Sequence, residues 1–387
     1  MGLASISKYN NLNKVLIFSA NTSWYLYNFR RNTIRSFLDD GYEILCLSPH
    51  DEYVTLLEKI GCRWIPIKIN NKGFNPFQDA NLFISFVKTY LRVKPLAVFN
   101  FTIKNNIYGT FASFLLKIPS INNVSGLGTA FIHDGLKYKF ARALYKAAIK
   151  LSSLIFCQNN DDYDFILNNK LIDNSRIDLL PGSGVDLKKF SKSQTASLNS
   201  GDEFIFLYAG RFLYDKGLQE LVDAFGKIDQ STFNAQLWLI GYQDSKNISS
   251  IKKSVIKKWA LKPNVKILNP TNEIQDVLAK ASCFVLPSYR EGMPRSILEA
   301  CAMEIPIICS NVPGCRDIVT DGLNGFLCKS RDIKSLVKAM KDMLEMSQKM
   351  RLEMGKEGRR LVEKKFSEEI VIHKTKQALS EILNREC

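Results

Sequence analysis

The sequence predicts an α/β protein built from two doubly wound parallel-sheet domains. Three observations predict it. Short apolar runs alternate with longer amphipathic stretches, the pattern of strands and helices that alternate along a parallel sheet. The alternation halts at a breaker cluster, Pro181-Gly182-Ser183-Gly184, and then restarts. The length, 387 residues, is too great for one ordinary core, since domains run to roughly 100–200 residues.

The first half begins with a strand at Val15-Leu16-Ile17-Phe18. A helix from Trp24 to Leu38 follows, ended by Asp39-Asp40-Gly41. Tyr42 to Leu47 reads as a strand, Tyr53 to Ile60 as a short helix closed by Gly61, and Arg63 to Ile69 as a strand. Leu82 to Val93 is helical before Pro95, and Leu96 to Phe101 is a strand. Leu154 to Cys157 is another, with a helix beginning near Asn160. Phe190 to Gly201 is rich in Ser, Lys and Gln, as a surface linker is. In the second half, Phe204–Ala209, Gln236–Ile240, Val265–Leu268 and Cys283–Pro287 read as strands. Leu218–Phe225, Ile248–Lys258 and Ile274–Ala281 read as helices between them, and a polar helical tail runs from Ile333 onward. The expected division is 1–185, 186–365 and a C-terminal helix over 366–387. Ligands of such sheets sit beyond the carboxyl ends of the strands, so with two sheets the site is expected in a cleft between them.

Composition excludes several classes. With 46% hydrophobic and 24% charged residues the chain is globular, not disordered, collagenous or coiled-coil. The formal net charge is +15 and is concentrated early: residues 80–150 hold ten Lys and Arg against a single acid, Asp134. Nucleic acid, an anionic membrane or a phosphorylated substrate would each suit such an excess. The nine cysteines include no Cys-x-x-Cys, which argues against a zinc site or a redox motif and for free thiols in a reducing cytoplasm. No apolar run reaches the ~18 residues of a membrane span, and the first eleven residues lack a signal-peptide core. A cytoplasmic protein, or one held on a membrane surface, is expected.

Two segments carry the chemistry. In Glu291-Gly292-Met293-Pro294-Arg295-Ser296-Ile297-Leu298-Glu299, a strand leads into a helix with Pro294 in its first turn. Free amides of Arg295, Ser296 and Ile297 would form an anion site suited to a diphosphate. Glu291 and Glu299 bracket that site, and carboxylates suit the paired hydroxyls of a ribose or sugar ring. In Tyr208-Ala209-Gly210-Arg211-Phe212-Leu213-Tyr214-Asp215-Lys216-Gly217, Gly210 ends a strand and Gly217 opens a helix. Arg211 offers a fork and Lys216 a point charge to phosphate oxygens. Two such cations offset a leaving diphosphate without a metal.

With these residues the chain resembles the family 4 retaining glycosyltransferases, which have the two-Rossmann GT-B fold with domains facing across a cleft. The resemblance spans nearly the whole chain and is densest from Phe204 to Leu327. Its motifs are the glutamate pair Glu291 and Glu299, the loop Gly210, Arg211, Lys216, Gly217, and Val185-Asp186-Leu187-Lys188-Lys189-Phe190, with Ser183 where many members have Asn. Gly314 to Val319 and Gly322 to Phe326 look like the segment that follows in these enzymes. The resemblance implies roles. Residues 1–185 would bind the acceptor and 186–365 the nucleotide-sugar, with the C-terminal helix crossing back. Arg211 and Lys216 would bind the donor diphosphate, Glu299 the ribose, and Glu291 the transferred sugar. Retention is attributed to front-face attack, without the two-carboxylate double displacement of glycosidases.

The N-terminal half fits a narrower group. Residues Ser19 to Arg30, with Asn21 and Trp24, and Val124-Ser125-Gly126-Leu127-Gly128 look like bacterial enzymes that extend polyprenyl-diphosphate-linked sugars in O-antigen, capsule or N-glycan precursor assembly. Those enzymes often add GalNAc or a similar hexose from a UDP donor. Gly126 and Gly128 would let the backbone approach the donor, and His133 is a candidate cleft residue.

Two further features are double-edged. Asp162-Tyr163-Asp164 has the Asp-x-Asp spacing of metal-dependent glycosyltransferases, but Asn160, Asp161 and Asp162 also suit a helix start; no metal is expected. In residues 137–151, Phe140, Leu144, Ala147 and Leu151 form an apolar stripe and Lys139, Arg142, Lys146 and Lys150 a basic one. An interfacial helix on the cytoplasmic face of the inner membrane would look so, as would a buried stripe with a solvated basic face. Two rivals remain: a nucleotide-sugar epimerase of similar fold, and a basic nucleic-acid-binding protein, for which no recognisable motif exists.

Overall fold

The computed structural model describes residues 14–70, 73, 75–126, 135–192, 203–244, 247 and 249–385. The chain divides into two compact units, Met1–Ser183 with Val371–Cys387, and Gly184–Ile370.

In the first unit the elements are β1 (Val15–Ser19), α1 (Ser23–Asp39), β2 (Glu43–Ser48), α2 (Val54–Lys59), β3 (Arg63–Pro66), α3 (Pro76–Val93) and β4 (Ala97–Phe101). A π-helical turn (Asn105–Gly109), α4 (Thr110–Leu115), β5 (Ser120–Val124), α5 (Leu136–Leu151), β6 (Leu154–Cys157), α6 (Asn160–Asn168) and β7 (Ile177–Leu179) follow. The strands form a parallel sheet ordered β3-β2-β1-β4-β5-β6-β7. Helices cover both faces, which is why β1 is apolar at four successive positions. One face is covered by α1 and α2, the other by α3 to α6.

Two differences from the sequence reading have clear causes. Helix α3 begins at Pro76, not Leu82: Asn75 accepts from the Gln78 amide, and Pro76 occupies the first turn. Strand β5 reads Ser-Ile-Asn-Asn-Val and was missed because its two asparagines look like a turn. Both are buried. Asn122 accepts from Asn100 at 3.0 Å and donates to Thr110 and Ser152, each at 2.6 Å.

The second unit holds β8 (Phe204–Ala209), α7 (Leu218–Phe225), β9 (Ala235–Ile240), α8 (Lys253–Ala260), β10 (Val265–Leu268), α9 (Ile274–Leu278) and β11 (Cys283–Leu286). It continues with α10 (Arg295–Ala302), β12 (Ile307–Ser310), β13 (Gly325–Cys328), α11 (Ile333–Glu345) and α12 (Gln348–Lys365). Its parallel sheet is ordered β10-β9-β8-β11-β12-β13. Helix α8 starts at Lys253, five residues later than the periodicity suggests. The chain ahead of it pairs with the loop after β8: Tyr214 donates to the Ser249 carbonyl and Ile251 to the Phe212 carbonyl.

The last helix, α13 (Glu368–Arg385), begins in the second unit. Its Val371, Ala378, Leu379 and Ile382 join the first unit's core on the face that α1 covers. Lys374 fixes it there by donating to the Leu179 carbonyl at 2.8 Å. All eight described cysteines are buried free thiols.

Helix α12 lies against the end of α10 through Gly355, where a Cβ would fall 2.1 Å from the Glu304 carbonyl oxygen. Gly355→Ala must therefore push the helix away from its bed. Overpacking of this kind destabilises by roughly 1–3 kcal/mol, to be read as a lowered denaturation midpoint in urea. An unchanged midpoint would contradict this packing.

Candidate active site

In each sheet the strand order reverses once, between β1 and β4 and between β8 and β11. Connections at such a point leave toward opposite faces, and a crevice opens beyond the carboxyl ends of the strands. In the second unit the two segments singled out by sequence are the loops after β8 and β11. Gly217 brings them together. Its φ is +69°, and a Cβ there would lie 2.0 Å from the Pro287 carbonyl oxygen. Only glycine fits both the turn and the approach.

The charged side chains are drawn into pairs. Lys216 Nζ lies 2.5 Å from Glu291 Oε1, with both side chains largely buried. Arg211 lies 3.5 Å from Asp244, in a more exposed pair. Arg295 Nε donates to Glu299 Oε1 at 2.9 Å, one helical turn away. Burial pushes the Glu299 carboxyl above its ordinary pKa, while the charges of Arg295 and Lys189 oppose that rise. Tyr208, fully buried on β8, donates its hydroxyl to the Arg211 carbonyl at 2.8 Å. Gly210 sits between them, its amide donating to the Ile240 carbonyl at 3.0 Å.

The start of α10 corrects one expectation. Pro294 is the extended N-cap, and the Ile297 amide donates back to its carbonyl at 3.0 Å. Ile297 is therefore not a free donor, and its side chain is fully buried in the core. Arg295 and Ser296 remain in the first turn, where the helix dipole favours an anion.

In the first unit, Asn21 and Trp24 follow β1 at the carboxyl edge of the sheet. Thr22 caps α1 by accepting from the Tyr25 amide at 3.0 Å. Trp24 is 36% exposed, packs edge-on against Phe29, and donates its amide to Asp51. Gly126 follows β5 with φ +112°, a glycine conformation. Gly128 and His133 lie outside the described residues. Asp162 is fully buried at the start of α6, its amide donating to Asn159 Oδ1 at 2.8 Å and its carboxylate accepting from Asn159 Nδ2 at 3.0 Å. Asp162 thus takes part in the cap of α6, and Asp164 is exposed. Among the described residues no group of three or more His, Cys, Asp or Glu is placed to hold a metal.

Helix α5 splits the apolar stripe read from the sequence: Leu144 and Leu151 are half-buried. Tyr145, Ala148 and Ile149 enter the core, while Phe140 and Ala147 are exposed beside Lys139 and Lys150. Tyr145 packs toward Asn106 of the π-helical turn. No described helix is long and apolar enough to cross a membrane.

Sequence reasoning missed four residues of the second unit's site. Asp244 had no visible partner until the loop after β9 was placed beside Arg211. Lys189 was read only as part of a motif. Tyr289 and Glu220, joined by a 2.5 Å hydrogen bond, lie 69 positions apart, and no local pattern links them.

Both units match known protein families. Residues 14–159 match the glycosyl transferase 4-like family and residues 190–361 the glycosyl transferases group 1 family. The N,N'-diacetylbacillosaminyl-diphospho-undecaprenol alpha-1,3-N-acetylgalactosaminyltransferase of Campylobacter jejuni is 28% identical over 86% of this chain and 89% of its own length. The Escherichia coli UDP-Gal:alpha-D-GlcNAc-diphosphoundecaprenol alpha-1,3-galactosyltransferase is also 28% identical, over 70% of this chain and 71% of its own. Anabaena HepE, crystallised with UDP, superimposes with a TM-score of 0.77 at 16% identity, covering 95% of this chain and 99% of that one. With both units matched in order along the chain, and with two parallel sheets that each reverse once, the protein belongs to the GT4-type glycosyltransferases of GT-B fold.

Proposed function

We propose that this enzyme is a retaining, metal-independent transferase. It moves a hexose or N-acetylhexosamine, GalNAc or similar, from a UDP-sugar to a polyprenyl-diphosphate-linked sugar in surface polysaccharide or glycan precursor synthesis. The observation that supports the donor site is the Lys216–Glu291 pair, 2.5 Å apart, where the loops after β8 and β11 meet. Relatives whose names specify undecaprenyl-diphosphate-linked acceptors support the acceptor class.

The roles follow from chemistry. Arg211 and Lys216 take the charge that develops on the leaving diphosphate, with the amides at the start of α10 contributing through Arg295 and Ser296. Glu291 accepts from the hydroxyls of the transferred sugar, and Glu299 from the ribose. The acceptor hydroxyl attacks the anomeric carbon from the face the diphosphate leaves, and the departing phosphate takes its proton. Asn21 and Trp24 serve the acceptor side, and Gly126 lets the backbone approach the donor.

The membrane is addressed by the outer face of α3, α4 and α5. Phe77, Ile84, Leu91, Phe114, Leu115 and Phe140 are all exposed there, Phe77 at 85% and Leu115 at 62%. Lys88, Arg92, Lys94, Lys117, Lys139 and Lys150 are exposed among them. Apolar side chains ringed by cations suit the boundary between acyl chains and anionic headgroups. This is broader than the single helix expected from sequence, and it adds insertion to charge. The enzyme then works from the cytoplasmic face, at its lipid-linked acceptor.

Four outcomes test the reading. Arg211→Ala and Lys216→Ala should each lower turnover by roughly 100-fold, about what one lost transition-state donor is worth. UDP should be released from a UDP-sugar only when a lipid-diphosphate sugar is supplied; release without acceptor and sugar isomerisation would favour an epimerase. Wild-type turnover by either folded variant would remove the diphosphate assignment.

EDTA should leave activity largely intact, because the two cations do the work of a metal. Activity abolished by EDTA and restored by manganese would overturn metal independence.

The protein should sediment with liposomes containing anionic lipid and be released only in part by 1 M salt, where screening falls to ~3 Å. Phe114→Ser with Leu115→Ser should abolish the salt-resistant fraction. Equal binding to neutral liposomes would show that charge is not an anchor, and no binding would return this face to solubility alone.

A further inference from the structure

The loop between β11 and α10 must hold Glu291 opposite Lys216, yet both are long side chains with several rotatable bonds. Lys216 sits on a four-carbon stem with a freely turning ammonium. Something must fix the two backbones relative to each other. The Gly217–Pro287 approach does this at one point, and Tyr289 does it at two more.

Tyr289 lies two residues before Glu291. Its amide donates to the carbonyl of Asp215, the residue before Lys216, at 2.9 Å. Its hydroxyl donates to Glu220 Oε1 at 2.5 Å. Glu220 stands in the first turn of α7, four residues beyond Lys216. One tyrosine is thus tied on both sides of Lys216. The Arg331 guanidinium lies 4.3 Å above its ring and covers it.

We propose that Tyr289 and Glu220 are positioning residues of the donor site, a hydrogen-bonded brace that keeps Lys216 and Glu291 in register. Neither touches the pair directly; they act through the backbone of the two loops. The inference rests on the assignment of Lys216 and Glu291 to the donor site made above.

The chemistry of the brace supports it. A hydroxyl donating to a carboxylate is among the stronger hydrogen bonds of a protein. Burial, with the Glu220 carboxylate beside it, pushes the Tyr289 hydroxyl well above its ordinary pKa, so it stays protonated and remains a donor. Glu220 needs that donor, because its Oε2 is buried with no partner among the described residues. Removing the hydroxyl leaves a carboxylate poorly satisfied at the start of α7, and the first turn must shift to find water. A shift of about 1 Å in a positioned group can lower turnover by up to 100-fold.

Tyr289→Phe removes one oxygen and keeps the ring under Arg331. Turnover should fall by roughly 10-fold while the Kd for UDP alone stays within about 2-fold, since misregister harms the reacting geometry more than nucleotide binding. Glu220→Gln, which keeps an acceptor for the hydroxyl, should stay within about 3-fold of wild type, and Glu220→Ala should match Tyr289→Phe. The double variant should be no worse than either single one, because a severed brace cannot be severed twice. Independently of any substrate, amine acylation followed by mass spectrometry should label Lys216 faster in Tyr289→Phe, with Lys338 as an unaffected internal control. Unchanged Lys216 labelling in a folded Tyr289→Phe protein, or losses that add in the double variant, would overturn the brace. Failure of the wild type to transfer any sugar, with the labelling difference intact, would instead overturn the substrate assignment.

Discussion

The approach of the Gly217 backbone to the Pro287 carbonyl is the constraint on which the second unit's site depends. At a reversal of strand order the two connections leave for opposite faces of the sheet, so their loops tend to part. Here they are drawn back into contact, at a separation that leaves no space for a Cβ. That contact brings a lysine from one loop beside a glutamate from the other. Each further feature reinforces it. Tyr208 holds the Arg211 carbonyl from beneath, and Tyr289 ties the second loop to Asp215 and Glu220. The sheet supplies a rigid edge, and two tyrosine hydroxyls carry that rigidity into loops that would otherwise be soft.

The first unit is stiffened by another route. A chain of buried amides and hydroxyls runs from Ser19 on β1 through Asn100 on β4 to Asn122 on β5, and on to Thr110 and Ser152. Three neighbouring strands and two helices are thereby locked together, each bond made where water cannot compete. Arg30, the last residue of the stretch that marks the narrower group, is only 2% exposed. Its guanidinium lies 4.5 Å over Phe101 and donates to the Gly182 carbonyl. Arg30 therefore ties α1 to the point where the chain leaves this unit.

How much of this could be read from the residues depended on range. Strands such as Val265–Leu268 announce themselves through apolar runs, and the loops after β8 and β11 through their glycines and charges. β5 stayed hidden because the partners that make two buried asparagines tolerable lie on other elements. α8 was placed too early because the pairing of Ser250 with Leu213 overrides helical periodicity. Asp162 could be read two ways, and its bonds to Asn159 show the part it takes at the helix start. The stripe on α5 could face a membrane or the core, and the side that packs inward, Tyr145, Ala148 and Ile149, shows only when the neighbour is known. Periodicity carries local structure; which polar groups meet across the sheet it does not carry.

The pairing of charges separates the two units in what their cations can do. On the proposed reading, the donor-site cations already hold carboxylates: Arg211 with Asp244, Lys216 with Glu291, Arg295 with Glu299. A diphosphate entering such a site exchanges one anion for another and does not have to order loose side chains, so little reorganisation remains for the chemical step. The pairs differ in how readily they exchange. Arg211–Asp244 is the more exposed and at 3.5 Å the looser, worth little in water. Lys216–Glu291 is closer and more buried, and opening it leaves a carboxylate that needs new donors. The hydroxyls of a sugar are such donors. On that reading Arg211, in the looser and more exposed pair, is the easier of the two cations to release to a phosphate, and Lys216 the harder.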